Sequence, residues 1–389
     1  MGKAIEQTLS VLTGVVGDYL AQTDNPLGEG MTLVARGQPL ACTAATLKDA
    51  YPQANGHLVL LIHGLMATET CFEGFGPPKP DYATLLAQKY GWTPLRLRFN
   101  TGQSVAKSAA ELVALLQNLQ ARWPAPIDEI ALICHSMGGL VARQALHLLP
   151  QPHSIRRIAY LATPHAGAPL ERGGRWLSQL LRKWPDPVVR LVGDVAELRS
   201  QGIRDLGEVE TVPFSPVVEH LLVGSTLSAQ PHLARWLGDG MVSLQSATGT
   251  HAQPLPSHVQ ARALTGIAHA NLACDPQVAA LLVDFLALDT SPMPLSDAAV
   301  AETPSTDAQT NRRIHGILRA AADAVVHGNR AIARVRVQRG EQVFAVARRL
   351  PGLHKPVQVI KTVHDTAIAA SHLGVQVVAE VVRDGLKTP

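Results

Sequence analysis

Residues 129–146, EIALICHSMGGLVARQAL, restrict the folding of this chain more than any other stretch. Glu129–Cys134 is a short, unbroken apolar run, the pattern of a strand covered on both faces. Ser136 follows within two residues, and Gly138–Leu149 has the period of a helix. A strand that reverses this tightly into a helix crosses it at close range, so the positions two before and two after Ser136 must be small. Gly138 meets that demand. Cys134 holds the other place with a small side chain that brings a thiol into the turn.

Similar runs recur at His57–Ile62, Thr93–Phe99, Ile155–Ala162, His220–Gly224 and Ala261–Ile267, and helix-period segments lie at Ser104–Arg122 and Pro276–Leu286. Strands alternating with helices predict an α/β fold, a doubly wound and mostly parallel sheet with helices on both faces. At 389 residues and 46% hydrophobic the chain can build that core and still carry further modules. Residues 1–20 read as an amphipathic helix, and 24–56 as loops with a strand or two around Met31–Arg36. The stretch 166–217, rich in Leu, Arg and Trp, interrupts the alternation and is expected to form a helical cap insertion. The body is read as residues 1–287, followed by a Pro/Ser/Thr/Ala-rich linker at 288–310 and a basic helical extension at 311–389.

Charge divides the chain in the same way. Residues 311–389 hold thirteen Lys and Arg against five Asp and Glu, which leaves 21 against 26 for residues 1–310. A basic tail on an acidic body is a candidate for peripheral contact with an anionic membrane, or for docking on the body itself. In the tail, Val363, Ala367, Ala370, Gly374, Val377 and Val381 form one narrow helical stripe, read as packing on a neighbouring helix. The tail's basic residues are dispersed and aromatics are nearly absent, which argues against nucleic acid as a partner. Four scattered cysteines without a CxxC pair argue against a disulfide framework or a zinc site and suit a reducing, cytoplasmic setting. The first twenty residues lack the features of a signal peptide, and no run of about 18 apolar residues suggests a membrane span.

The chemistry centres on Ser136. A serine hydroxyl attacks a carbonyl only when a base takes its proton, and the resulting oxyanion needs two pre-placed N–H donors. The helix beginning beside Ser136 offers the N–H of Met137. The second donor is expected from His63-Gly64-Leu65-Met66, just after an earlier strand, with Leu65 first and Met66 in reserve. For the acid, the order Ser, Asp, His in this architecture points to Asp239, flanked by glycines in WLGDGMVSLQSA, ahead of Asp194 and Asp205. His269 follows a strand-like run and precedes the last helix of the body, which makes it the expected base ahead of His251 and His258. His63, His135 and His165 flank the site as candidates for substrate contact. His63 is read as a brace for its loop and His135 as packing in the turn. No His/Asp cluster with ligand spacing lies beside the serine, so no metal and no cofactor are expected.

With these residues in place, the chain resembles the lipase and esterase branch of the α/β-hydrolases, and within it bacterial proteins grouped with GPI inositol-deacylase-like hydrolases. The resemblance is carried by VLLIHGLMATE, LICHSMGGLVAR, YLATPHAGAPLE, GIRDL, GDGMVSLQSA and GIAHANLACDPQV, in that order over roughly residues 14–287. It implies carboxylic-ester hydrolysis, often of lipid esters, with Ser136, Asp239 and His269 as triad and Leu65 and Met137 as oxyanion hole. Cys134 departs from the family's glycine. Two other readings remain: acyl transfer to a non-water acceptor by the same triad, and a hydrolase-like body that only binds, with the basic tail docking a membrane or partner.

Overall fold

In a computed structural model of the chain, the apolar runs become strands of one eight-stranded sheet. The strands are β1 (Thr32–Ala35), β2 (Gln38–Leu40), β3 (His57–Ile62), β4 (Thr93–Arg98), β5 (Glu129–His135), β6 (Ile155–Leu161), β7 (Glu219–Thr226) and β8 (Val259–Thr265). Their spatial order is β2-β1-β4-β3-β5-β6-β7-β8. From β4 to β8 every pairing is parallel, whereas β1 pairs antiparallel with both β2 and β4. The described residues are 3–73, 81–149, 154–167, 200–206, 212–228, 230, 238–250 and 254–287. The linker, the basic extension with its small-residue stripe, and most of the expected cap lie outside them. By compactness the chain divides into Met1–Thr23 with Gly28–Ser305, and Asp24–Leu27 with Thr306–Pro389. In the second unit, Asn25 Oδ1 accepts from the Leu27 N–H at 2.9 Å.

The α-helices among the described residues are α1 (Lys3–Gln22), α2 (Ala44–Ala50), α3 (Tyr82–Tyr90), α4 (Val105–Arg122), α5 (Met137–Leu148), α6 (Gln201–Asp205), α7 (Leu244–Ala247) and α8 (Pro276–Phe285). Local chemistry sets their ends. Ser104 caps α4 by accepting from the Lys107 N–H, and Asp275 caps α8 with Pro276 in its first turn. Asp81 caps α3, and Gly91 closes it in the left-handed region at φ 69°.

Because side chains alternate along a strand, the buried sheet feeds two cores. Leu58, Leu60 and Ile62 of β3 join Leu112, Leu116, Val141 and Ala145 on the α4–α5 face. Val59 and Leu61 join Tyr82, Leu86, Val278 and Leu282 on the α3–α8 face. The chain runs from β3 to β4 on one side and then to β5 on the other, so strand order switches between β3 and β5. A cleft beyond the carboxyl ends of the strands at such a switch is where open α/β sheets bind ligands. Among the described residues this is a doubly wound α/β fold, a mostly parallel sheet with helices on both faces.

Close approach around α5 accounts for its glycines. A Cβ at Gly138 would stand 2.5 Å from the carbonyl oxygens of Ile62 and His63. One at Gly139 would stand 2.0 Å from Thr163 Oγ1 and 2.8 Å from its Cγ2. Cys134 is fully buried in the α4–α5 core, paired in the sheet with Ile62 and Tyr160. Gly139→Ala is expected to lower stability by about 1–3 kcal/mol through overpacking. Adding Thr163→Ala should recover part of that loss, and urea unfolding of the two single variants and the double variant measures the coupling.

Candidate active site

Ser136 sits between β5 and α5 with φ 53° and ψ −124°, a conformation that a non-glycine residue holds only when its surroundings impose it. Its N–H donates to the Leu161 carbonyl at 2.8 Å, and its carbonyl accepts from the Gly139 N–H at 3.0 Å. Both bonds hold the turn, which aims Oγ beyond the carboxyl end of the sheet. Met137 is the first residue of α5, so its N–H has no acceptor within the helix.

The structure brings Ser136, His269 and Asp239 together. His269 Nε2 lies 3.0 Å from Ser136 Oγ, and His269 Nδ1 lies 2.8 Å from Asp239 Oδ2. A carboxylate only accepts, so Nδ1 carries the ring proton and Nε2 faces the serine as an acceptor. All three residues are buried.

The acid loop shows why glycines flank Asp239. Gly238 and Gly240 have φ of 51° and 98°, and a Cβ on Gly238 would meet the Val242 carbonyl at 2.0 Å. The turn they permit aims the N–H groups of Met241 and Val242 at Asp239 Oδ1, at 2.9 and 2.8 Å, leaving Oδ2 for the imidazole. Burial alone would raise the Asp239 pKa. The neighbouring His269 and these backbone donors outweigh it and hold the carboxyl below its ordinary range.

The remaining expected residues fall into place by their hydrogen bonds. His63 is fully buried; Nδ1 donates to the Gly64 carbonyl at 3.0 Å, and Nε2 accepts from the Phe99 N–H at 3.4 Å. The Gly64 carbonyl also accepts from the Ala67 N–H at 3.3 Å. In a trans peptide the N–H opposes the carbonyl, so fixing the Gly64 carbonyl also fixes the direction of the Leu65 N–H. The Met66 N–H, the reserve donor, is taken by Thr101 Oγ1 at 3.1 Å, while no described residue accepts from the Leu65 N–H. The next turn is anchored in turn, because Arg98 grips the buried Glu69 through two nitrogens.

His135 turns its Nε2 to the His269 carbonyl at 3.0 Å, with the two rings 5.0 Å apart. His165 is fully buried, accepting from Arg143 at Nδ1 (3.1 Å) and packed edge-on against Tyr160 and Phe214. The three histidines read as substrate contacts are thus turned towards the protein, and their geometry is that of braces. Asp205 serves elsewhere, accepting from the Val105 N–H at 2.8 Å, and His258 lies against His220. Asp194 and His251 lie outside the described residues.

The supports of the His269 loop leave no mark in the sequence. The His269 N–H donates to the Asp239 carbonyl at 3.0 Å, and the Ile267 N–H to Ser225 Oγ at 3.3 Å. The Tyr82 hydroxyl accepts from the Asp275 N–H at 2.8 Å and reaches the Leu272 carbonyl at 3.0 Å. These contacts join positions up to 193 residues apart, and no local pattern marks them. Among the described residues, no three His, Cys, Asp or Glu side chains group as metal ligands, and no helix is long and apolar enough to cross a membrane.

Residues 36–191 match the family model of a domain of unknown function, DUF7379. No curated protein matches the chain. Among solved structures it is similar to the mature Bacillus licheniformis lipase BlEst2, at 15% identity and TM-score 0.43, over 60% of this chain and 93% of that one. The Pyrococcus furiosus esterase Pf2001 gives 17% identity and 0.41, over 60% and 81%. A lipase-esterase related protein from Clostridium acetobutylicum gives 12% and 0.37, over 60% and 95%.

Two predictions follow from the buried histidines. His135→Phe removes the donor to the His269 carbonyl and is expected to cost about 1–3 kcal/mol and to speed amide exchange at residues 267–273. His135→Gln, which can place an N–H near the same point, should restore most of the protection. The second concerns acid. Burial depresses the pKa of His63 and His220 to about 4 and that of His135 to about 3. Below the ordinary value of 6.5 the unfolded chain therefore binds protons that the folded chain refuses. Stability is full above pH 6.5 and is lost as pH falls through that value towards 4, by about 1.4 kcal/mol per pH unit for each histidine. Urea unfolding at pH 7, 6 and 5 should show this slope, and a flat profile would refute it.

Proposed function

We propose that this chain is a serine hydrolase acting on carboxylic esters, with Ser136 as nucleophile, His269 as general base and Asp239 as the acid behind it. The single observation that supports this most is the unbroken line from Ser136 Oγ through both nitrogens of His269 to Asp239 Oδ2, at 3.0 and 2.8 Å. In this reading the Oγ–H proton passes to Nε2 as Oγ bonds to the acyl carbon. The carbonyl electrons move to oxygen, where the N–H groups of Leu65 and Met137 stabilise the anion. The carbonyl re-forms, the ester C–O bond breaks, and the alcohol leaves with the proton from Nε2. Water then repeats the sequence on the acyl-enzyme, releasing the acid and restoring Ser136. Asp239 keeps Nδ1 protonated and compensates the imidazolium charge throughout.

Cys134 does not compete as a nucleophile, because burial in the core pushes its thiol pKa well above the ordinary value. The substrate reading extends to lipid acyl esters on the motif resemblance to GPI inositol-deacylase-like hydrolases. Fold and triad leave the alcohol unnamed.

A fluorophosphonate probe is expected to label the wild-type chain at Ser136 and not to label Ser136→Ala. On p-nitrophenyl esters of rising acyl length, Ser136→Ala should lose about 10⁶-fold in kcat and Asp239→Asn about 10⁴-fold. Equal labelling of wild type and Ser136→Ala, or no hydrolysis of any ester by wild type, would sink the reading.

A further inference from the structure

The oxyanion loop is clamped from above by α1, which belongs to the same compact unit as the sheet. Met66 adopts the left-handed region at φ 58°, and both of its backbone polar groups are held. Its N–H donates to Thr101 Oγ1 at 3.1 Å, and its carbonyl accepts from Ser10 Oγ, on α1, at 3.0 Å. Gly14, one turn further along α1, abuts the same residue. A Cβ there would stand 2.4 Å from Met66 Cγ and 3.3 Å from Met66 N and Cα.

One turn on, a Cβ at Gly17 would stand 1.9 Å from Asn100 Oδ1, and Asn100 Nδ2 donates to the Gly17 carbonyl at 2.8 Å. From the opposite side, a Cβ at Gly102 would stand 2.2 Å from the Thr13 carbonyl oxygen. The face made by Ser10, Gly14 and Gly17 therefore touches the loops after β3 and β4 at backbone distance. Segment 200–205 closes the far side, with Ser200 Oγ donating to the Gly14 carbonyl at 2.6 Å and the Gln201 N–H to Asp18 Oδ2 at 3.0 Å.

We propose that α1 is a positioning element of the catalytic site, in which Ser10 and Thr101 hold the Met66 peptide groups and thereby fix the neighbouring Leu65 N–H as an oxyanion donor. The inference rests on the hydrolase reading above. The physical ground is the left-handed turn at Met66, which costs free energy to hold and is held here from both sides. If Ser10 releases the Met66 carbonyl or Thr101 its N–H, the turn relaxes and carries the Leu65 N–H away from the developing oxyanion. Donors of this kind act by preorganisation, and displacements near 1 Å are enough to slow the chemical step. Ser10 and Thr101 touch neither Ser136 nor His269 in the hydrogen bonds described, so their effect reaches the reaction through the loop.

The test compares full-length wild type with Ser10→Ala, Thr101→Val and Thr101→Ser on two readouts: p-nitrophenyl ester kinetics, and amide hydrogen exchange across residues 64–67. Ser10→Ala and Thr101→Val are expected to lower kcat about tenfold with KM within twofold, and to speed exchange at Met66. Thr101→Ser, which keeps the hydroxyl, should restore both. Unchanged kcat in both variants, or a loss that falls on KM alone, overturns the proposal, as does unchanged exchange at Met66. If wild type neither hydrolyses esters nor takes up the fluorophosphonate, the hydrolase reading fails. Faster exchange in the two variants would then uphold the clamp as a structural fact, and the catalytic purpose assigned to it would be overturned.

Discussion

His269 is gripped through every polar group it has. Its ring bridges Ser136 and Asp239, its N–H donates to the Asp239 carbonyl, and its carbonyl accepts from His135. Side-chain rotation and loop displacement are therefore opposed by the same few bonds. His135 is the direct neighbour of Ser136 in sequence, so its bond to the His269 carbonyl joins the Ser136 turn to the His269 loop. The three-residue line is thus tied to one strand end, that of β5, rather than assembled from three independent loops. Removing either backbone bond would leave a buried polar group without its partner, a penalty of about 1–3 kcal/mol.

The second constraint is clearance. The backbone strain at Ser136 persists because Gly64, Gly138 and Gly139 let β3, β6 and their following loops approach the turn within distances no Cβ could share. Cys134, where the family has glycine, is accommodated with its side chain fully buried in the α4–α5 core. The position two after Ser136 is the stricter one, since a Cβ on Gly138 would lie 2.5 Å from the His63 and Ile62 backbone oxygens.

What could be read from residues alone follows the range of the forces involved. The central strands and α4, α5 and α8 were legible because burial on both faces leaves unbroken apolar runs and caps such as Ser104 and Asp275 mark the ends. Helices α2 and α3 were missed, being only seven and nine residues long, too short for a clear period. The strand expected at Ala261–Ile267 lies at Val259–Thr265, since Gly266 at φ 84° ends it before the apolar Ile267. The antiparallel β1–β2 edge was anticipated only as strand character near Met31–Arg36. The expectation for Ser136 rested on its strand–turn–helix context, whereas those for Asp239 and His269 rested on chain order and resemblance, because the bonds that join the three cross 30 and 133 residues. The roles of Tyr82, Ser10 and Thr101 depend on contacts between residues 35 to 193 apart, and composition carries no trace of them.

The electrostatics of the site favour a single change of charge. His63 and His135 each donate one ring proton to a backbone carbonyl, which leaves the other nitrogen as a neutral acceptor, and burial opposes a second proton on either. In the proposed reaction His269 becomes an imidazolium 5.0 Å from the His135 ring. A charged His135 at that distance would oppose it by about 3 kcal/mol at an effective dielectric near 20, which corresponds to roughly a hundredfold in rate. Burying the bracing histidines removes that repulsion while keeping their N–H donors. The same burial that makes the fold acid-sensitive therefore lets Asp239, already held ionised by His269 and two backbone N–H groups, act on the developing charge without a competing cation beside it.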